Sequence, residues 1–158
     1  NACMAYAMLK IAGWDKKNSL LDANCRDGVI LTEAGLAGGK KLYGVESNKN
    51  NFISTEINAK LANVKINLHN AEIDKMASLI KNVDYIATIL PSESKKVSRN
   101  FISRIYESFF DQARKIVKKK VVVGVLDDSL LKNFIKDFKV MEKREIFAGN
   151  KYIVYVLE

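Results

Sequence analysis

At 158 residues, 48% of them apolar, the chain is long enough to bury one full core, and a single domain is the default reading. Its 26 basic residues outnumber 18 acidic ones, a formal charge of +8 that favours polyanionic partners. No apolar run reaches the roughly 20 residues of a membrane span, and the start lacks the charged and apolar regions of a secretory signal, so the chain reads as cytoplasmic. Two cysteines without CxxC spacing and one histidine offer neither a disulfide framework nor a protein metal site.

The chain opens NACMAYAMLKIAGW, in helical spacing from its first residues and without an initial Met, which points to a fragment with a domain upstream. Ser19 to Asp22 reads as a first strand. A polar turn, Asp22-Ala-Asn-Cys-Arg-Asp-Gly28, leads to a helix from about Val29. Lys41 to Val45, Val64 to Leu68, Val83 to Leu90 and Lys120 to Val125 are further strand-like runs, separated by segments of helical length. Between the last two, Ile102, Ile105, Tyr106, Phe109, Phe110, Ala113, Ile116 and Val117 share one face at a period near 3.6, most simply as core. Phe138 to Phe147 and Lys151 to Leu157, joined by Ala148, Gly149 and Asn150, signal a hairpin. Strands alternating with helices imply right-handed crossovers and a parallel sheet covered on both faces, here finished by an antiparallel strand.

Ligands of such sheets bind at the carboxyl ends of the strands, beside the switch in strand order. At the first strand end, Gly28 lets backbone approach a ligand and the following helix N-terminus favours an anionic group. The spacing matches neither the dinucleotide GxGxxG nor the GxxxxGK phosphate loop, which disfavours a nicotinamide-dependent oxidoreductase. Glu46, ending YGVE about 20 residues past the turn, is placed to accept hydrogen bonds from both ribose hydroxyls of a nucleoside cofactor.

The order of a leading helix, LLDANCRDGVILTEAG, YGVES, INLHNAE, VDYIATILPSES and a terminal hairpin resembles the class I S-adenosylmethionine-dependent methyltransferases. More narrowly, it resembles the catalytic domain of THUMP-associated RNA methylases, which modify the exocyclic amine of guanine in tRNA or rRNA. The resemblance covers nearly the whole chain. It implies an α/β fold, the Rossmann-like three-layer sandwich with a mostly parallel seven-stranded sheet and an antiparallel last strand. It also implies S-adenosylmethionine as cofactor, RNA as partner, and an upstream THUMP-type RNA-binding domain in the same protein.

The family's first motif reads roughly DPxCGSGT, which Asp22, Cys25 and Gly28 match while Arg26 replaces the first glycine. Glu46 matches the ribose-binding acid, and Asn70 stands where an Asp commonly meets the adenine amine, so Asp22, Cys25, Arg26, Gly28, Glu46 and Asn70 are the expected cofactor site. The fourth motif, NPPY or NLPY in the family, reads Ile89-Leu90-Pro91-Ser92. Isoleucine offers no acceptor for a target amine and serine no ring to stack on a base, so catalysis would fall to Pro91, Ser92 and Glu93, with Glu93 more simply a solvated loop carboxylate. Lys95, Lys96, Arg99 and Arg104 follow that loop and are expected to contact RNA phosphates. Arg114, Lys115, Lys118, Lys119 and Lys120 cluster near the end of the long helix, where cations offset its dipole. Cys25 is expected to be small buried packing rather than a nucleophile, and His69 a strand-end residue. Two readings follow: an active RNA methyltransferase, or a non-catalytic module of the same fold that binds RNA or protein.

Overall fold

A computed structural model describes residues 1–95 and 97–158. Seven strands among them form one sheet in the order β3-β2-β1-β4-β5-β7-β6. They are β1 Leu20–Asp22, β2 Leu42–Val45, β3 Asn67–His69, β4 Val83–Ile89, β5 Val117–Val125, β6 Val140–Ala148 and β7 Asn150–Leu157. The first five are parallel; β7 runs against both β5 and β6. The helices are α1 Ala2–Ala12, α2 Val29–Leu36, α3 Lys49–Leu61, the short α4 Met76–Leu79, and α5 Arg99–Ile116.

The two sides of the sheet carry separate apolar layers, and alternation along each strand decides which side chain joins which. Leu21, Ile86, Val121 and Val123 face α4 and α5, whereas Leu20, Ala87 and Val122 face α1 and α2. Helix α5 begins because the Ser98 side chain accepts from the Phe101 amide, and it buries Ile102, Tyr106, Phe109, Phe110, Ala113 and Ile116 along one stripe. Phe109 and Phe110 meet edge to face at 4.9 Å. On the other side, α1 starts at its Asn1 cap and stops at Gly13, whose φ of 66° ends the helix in the left-handed region.

Three expected boundaries shift. The third strand covers Asn67–His69 rather than Val64 to Leu68, because Val64 and Ile66 pack from the preceding loop against the α1–α2 layer. The fifth begins at Val117, so this residue pairs with Val83 in the sheet instead of continuing the helical face. Lys118, Lys119 and Lys120 therefore belong to a strand, and only Arg114 and Lys115 occupy the last turn of α5. The hairpin is tighter than expected, with Gly149 alone between its strands, and β6 starts at Val140.

Candidate active site

The strand order reverses between β1 and β4, so the chain leaving β1 and the chain leaving β4 diverge at the carboxyl edge of the sheet. Asp22 ends β1 with 2% exposure, accepting the Thr88 hydroxyl at 2.7 Å and the Asn24 amide at 3.2 Å on Oδ1. Burial pushes its carboxyl up to about 7, against the pull of those two donors, with Glu46 and Asp27 adding repulsion. Asn24 in turn donates to the Ile89 carbonyl at 2.9 Å, which ties the β1 loop to the end of β4.

The remaining loop is held by β2 and α3. Glu46, 3% exposed, accepts the Arg26 amide at 2.7 Å on Oε2 and the Asn48 amide at 2.8 Å on Oε1. Each oxygen keeps one further lone pair. The Thr55 hydroxyl donates to the Arg26 carbonyl at 2.7 Å, and Asn58 donates to the Asp27 carbonyl at 2.8 Å. Gly28 is required twice: its φ is 76°, and a Cβ there would lie 2.6 Å from Thr55 Cγ2. Arg26 adopts the left-handed region too, at φ 52°, without the glycine's freedom. Its side chain is exposed at the mouth of a cavity of about 250 Å³, lined also by Asp22, Asn24, Cys25, Asp27 and Met4.

Cys25 is packed, 3% exposed and 3.9 Å from the Thr55 hydroxyl. Burial pushes its thiol well up, so it carries no thiolate near neutral pH. Asn70 donates to the carbonyls of Glu46 and Ser47 at 2.7 and 3.1 Å, leaving its side-chain oxygen as the free acceptor. His69 ends β3, its carbonyl accepting the Glu46 amide at 3.0 Å.

The loop after β4 is tied down group by group. The Pro91 carbonyl accepts the Tyr106 hydroxyl at 2.9 Å, Ser92 Oγ accepts the Leu126 amide at 3.3 Å, and Glu93 pairs with Arg99 at 2.7 Å. A second cavity of about 300 Å³, on the α5 side, is lined by Ser92, Glu93, Arg99, Tyr106 and Asp127. Of the four cations expected to contact RNA, Arg99 is engaged with Glu93, Lys95 and Arg104 are exposed, and Lys96 lies outside the described residues. Three supporting residues escaped the sequence reading: Thr55, Thr88 and Tyr106. Their hydroxyls lie 29, 66 and 15 positions from the atoms they bond, so no local pattern marks them.

The same fold recurs in solved structures. TrmN from Thermus thermophilus superposes with a TM-score of 0.88 at 21% identity, over 99% of this chain and 48% of that one. SMU.472, a candidate methyltransferase crystallised with S-adenosylhomocysteine, gives 0.84 at 13% identity over 98% and 52%. A candidate RNA methyltransferase from Pyrococcus horikoshii gives 0.74 at 19% identity over 98% and 82%. The chain spans about half the length of the first two. At these identities the likeness establishes the Rossmann-like class I methyltransferase fold. Among the described residues no group of His, Cys, Asp and Glu is arranged to hold a metal, and no helix is long and apolar enough to cross a membrane. The model of the RMKL-like methyltransferase domain family matches residues 1–155, and the chain belongs to that family.

Proposed function

We propose that this chain is the S-adenosylmethionine-binding domain of an RNA methyltransferase, acting on the exocyclic amine of guanine in tRNA or rRNA. The observation that carries the reading is the Glu46 carboxylate, fixed by two backbone amides at the end of β2 while one lone pair on each oxygen remains for vicinal hydroxyls. The donor set fits the cofactor. Glu46 would take the ribose and the Asn70 oxygen the adenine amine. The cavity at Asp22, Asn24 and Arg26 would take the charged amino-acid end. When bound, the cofactor supplies an activated methyl group on a sulfonium. The protein's own part is to hold the nucleoside end, exclude water and orient the accepting amine.

A second reading, a non-catalytic module of the same fold that binds RNA or protein, is favoured by the turn after β4. Ile89 has no acceptor to orient an amine, and the side chains of Ser92 and Glu93 are already engaged by Leu126 and Arg99. Calorimetric titration of S-adenosylmethionine and S-adenosylhomocysteine into the chain is the first test. Absence of heat and of thermal stabilisation with both ligands defeats the enzyme reading. If they bind, transfer of a tritiated methyl group to tRNA or rRNA distinguishes the enzyme from the module.

A further inference from the structure

We propose that the edge of the sheet opposite the candidate active site is a docking track for the phosphate backbone of a folded RNA. Every strand except β7 starts at this edge, and a lysine stands within three residues of each start. In spatial order these are Lys65 for β3, Lys41 for β2, Lys17 for β1, Lys81 for β4, Lys119 for β5 and Lys139 for β6. A second lysine adjoins those of β1, β2 and β5. Adjacent strands lie about 4.8 Å apart, so the row extends about 30 Å.

All six side chains are exposed and, among the described residues, none forms an ion pair; Lys119 is engaged otherwise, donating to Asn18 Oδ1 at 2.6 Å and acting on the nearby Asp84 carboxylate. Acids stand at this edge too: Glu158 is joined to Lys139 by two backbone hydrogen bonds, and Asp137 lies 3.5 Å from Arg114. Asp84 is engaged by the Ser19 amide at 2.8 Å and its hydroxyl at 2.9 Å, and Asp15 caps its own turn by accepting the Lys17 amide. The other edge carries both signs, with Asp27, Glu46 and Asp127 beside Arg26, Lys49 and Arg99. A row of lysines therefore marks the edge away from the site it would serve.

The bland alternative is that these lysines offset helix dipoles, since α1, α2, α3 and α5 all end at this edge. A helix C-terminus presents only about half an elementary charge, so four ends account for about two of the lysines. An unpaired surplus spread evenly over the whole edge matches a partner with evenly repeated negative charge. Near β2 and β3 the track also deepens into a cleft of about 310 Å³, lined by Lys40, Lys41, Lys65 and the partly buried Tyr43. Strand β4, Val83–Ile89, separates the two edges by about 23 Å at roughly 3.3 Å per residue. A folded RNA is broad enough to touch both edges at once.

The proposal rests on the RNA reading above, and the test separates the two. The probe is folded tRNA, with polyglutamate as a protein-like polyanion, titrated at several salt concentrations against the chain and against the variant carrying Lys40→Gln, Lys41→Gln, Lys65→Gln and Lys81→Gln. Fluorescence anisotropy reads affinity, and a melting curve verifies the variant's fold. The expected result is at least a tenfold loss of tRNA affinity in the variant at 0.1 M salt, with a log–log salt slope shallower by about 3, from the roughly 0.7 to 0.9 counterions released per phosphate contact. Equal affinity and slope for the two proteins overturns the docking track while leaving the RNA reading standing. Failure of the unaltered chain to bind either tRNA or a folded rRNA fragment titrated in parallel overturns both. Polyglutamate binding as tightly as tRNA overturns RNA as the partner and assigns the edge to an acidic protein.

Discussion

The Arg26 amide donates to Glu46 Oε2 across 2.7 Å, and the bond holds Arg26 at φ 52°. In the left-handed region a Cβ crowds the following carbonyl, at a cost of about 1–2 kcal/mol. Arg26→Gly removes that strain, partly offset by the larger freedom of glycine in the unfolded chain. The variant is expected to gain about 1 kcal/mol in urea denaturation. Because the Arg26 side chain stands at the mouth of the cavity, S-adenosylhomocysteine should also bind more tightly to it. Unchanged affinity would show that the side chain turns away from the ligand.

Glu46 satisfies two amides on two different segments, so its loss acts on stability as well as on binding. Glu46→Ala leaves the Arg26 and Asn48 N–H groups without their acceptor, at an expected cost of about 2–4 kcal/mol. Glu46→Gln keeps one carbonyl acceptor and should cost less than half as much. Both variants are expected to lose S-adenosylhomocysteine binding. Equal denaturation midpoints for the alanine variant and the unaltered chain would contradict the bracing role.

Gly28 meets two separable constraints, and a double-mutant cycle can divide them. Gly28→Ala places a Cβ 2.6 Å from Thr55 Cγ2 at φ 76°, with an expected loss of about 2–4 kcal/mol from strain and clash together. Thr55→Ser deletes that methyl group and keeps the hydroxyl that donates to the Arg26 carbonyl. In the Thr55→Ser background the glycine substitution should cost only the backbone part, about 1 kcal/mol. Additive losses would show that Thr55 relaxes away and that the φ constraint alone acts.

The extent of what the sequence discloses follows from the range of the forces involved. Strand β4 is visible as a β-branched and aliphatic run and the buried stripe of α5 by its period, whereas Gly28 is read only as a point of close backbone approach and its left-handed φ emerges in the fold. The same logic misplaced β3: Val64 and Ile66 are apolar because they pack from a loop, and apolar residues look alike whether a loop or a strand buries them. It also assigned Lys118 to Lys120 to a helix end, since the helical face runs on to Val117 before the backbone turns extended. Glu46 is proposed from its strand-end spacing and Asn70 from the family resemblance, but the amides that Glu46 braces are not legible in the sequence. Their partners are set by how β1, β2 and α3 converge, which is a property of the sheet and of no local segment.

Asp22 carries the clearest pH dependence. Its carboxyl is pushed up to about 7 in the fold by burial, whereas an unfolded aspartate titrates near 3.9. The fold thus holds the proton more tightly than the unfolded chain, so its favourable contribution is complete below about pH 4 and is lost progressively as pH rises to 7. The full loss corresponds to about 4 kcal/mol at 1.36 kcal/mol per unit. Asp22→Asn retains an acceptor for Thr88 and Asn24 but does not titrate. Urea denaturation should therefore show the two proteins alike near pH 4 and the asparagine variant more stable at pH 8. Binding should move the other way: if the cavity takes the cofactor's amino-acid end as proposed, ionised Asp22 would face its ammonium and S-adenosylhomocysteine affinity should rise between pH 6 and 8, a rise the variant lacks. Parallel stability profiles for the two proteins would remove Asp22 as the titrating group, and a stability difference without the affinity rise would make it a fold residue only.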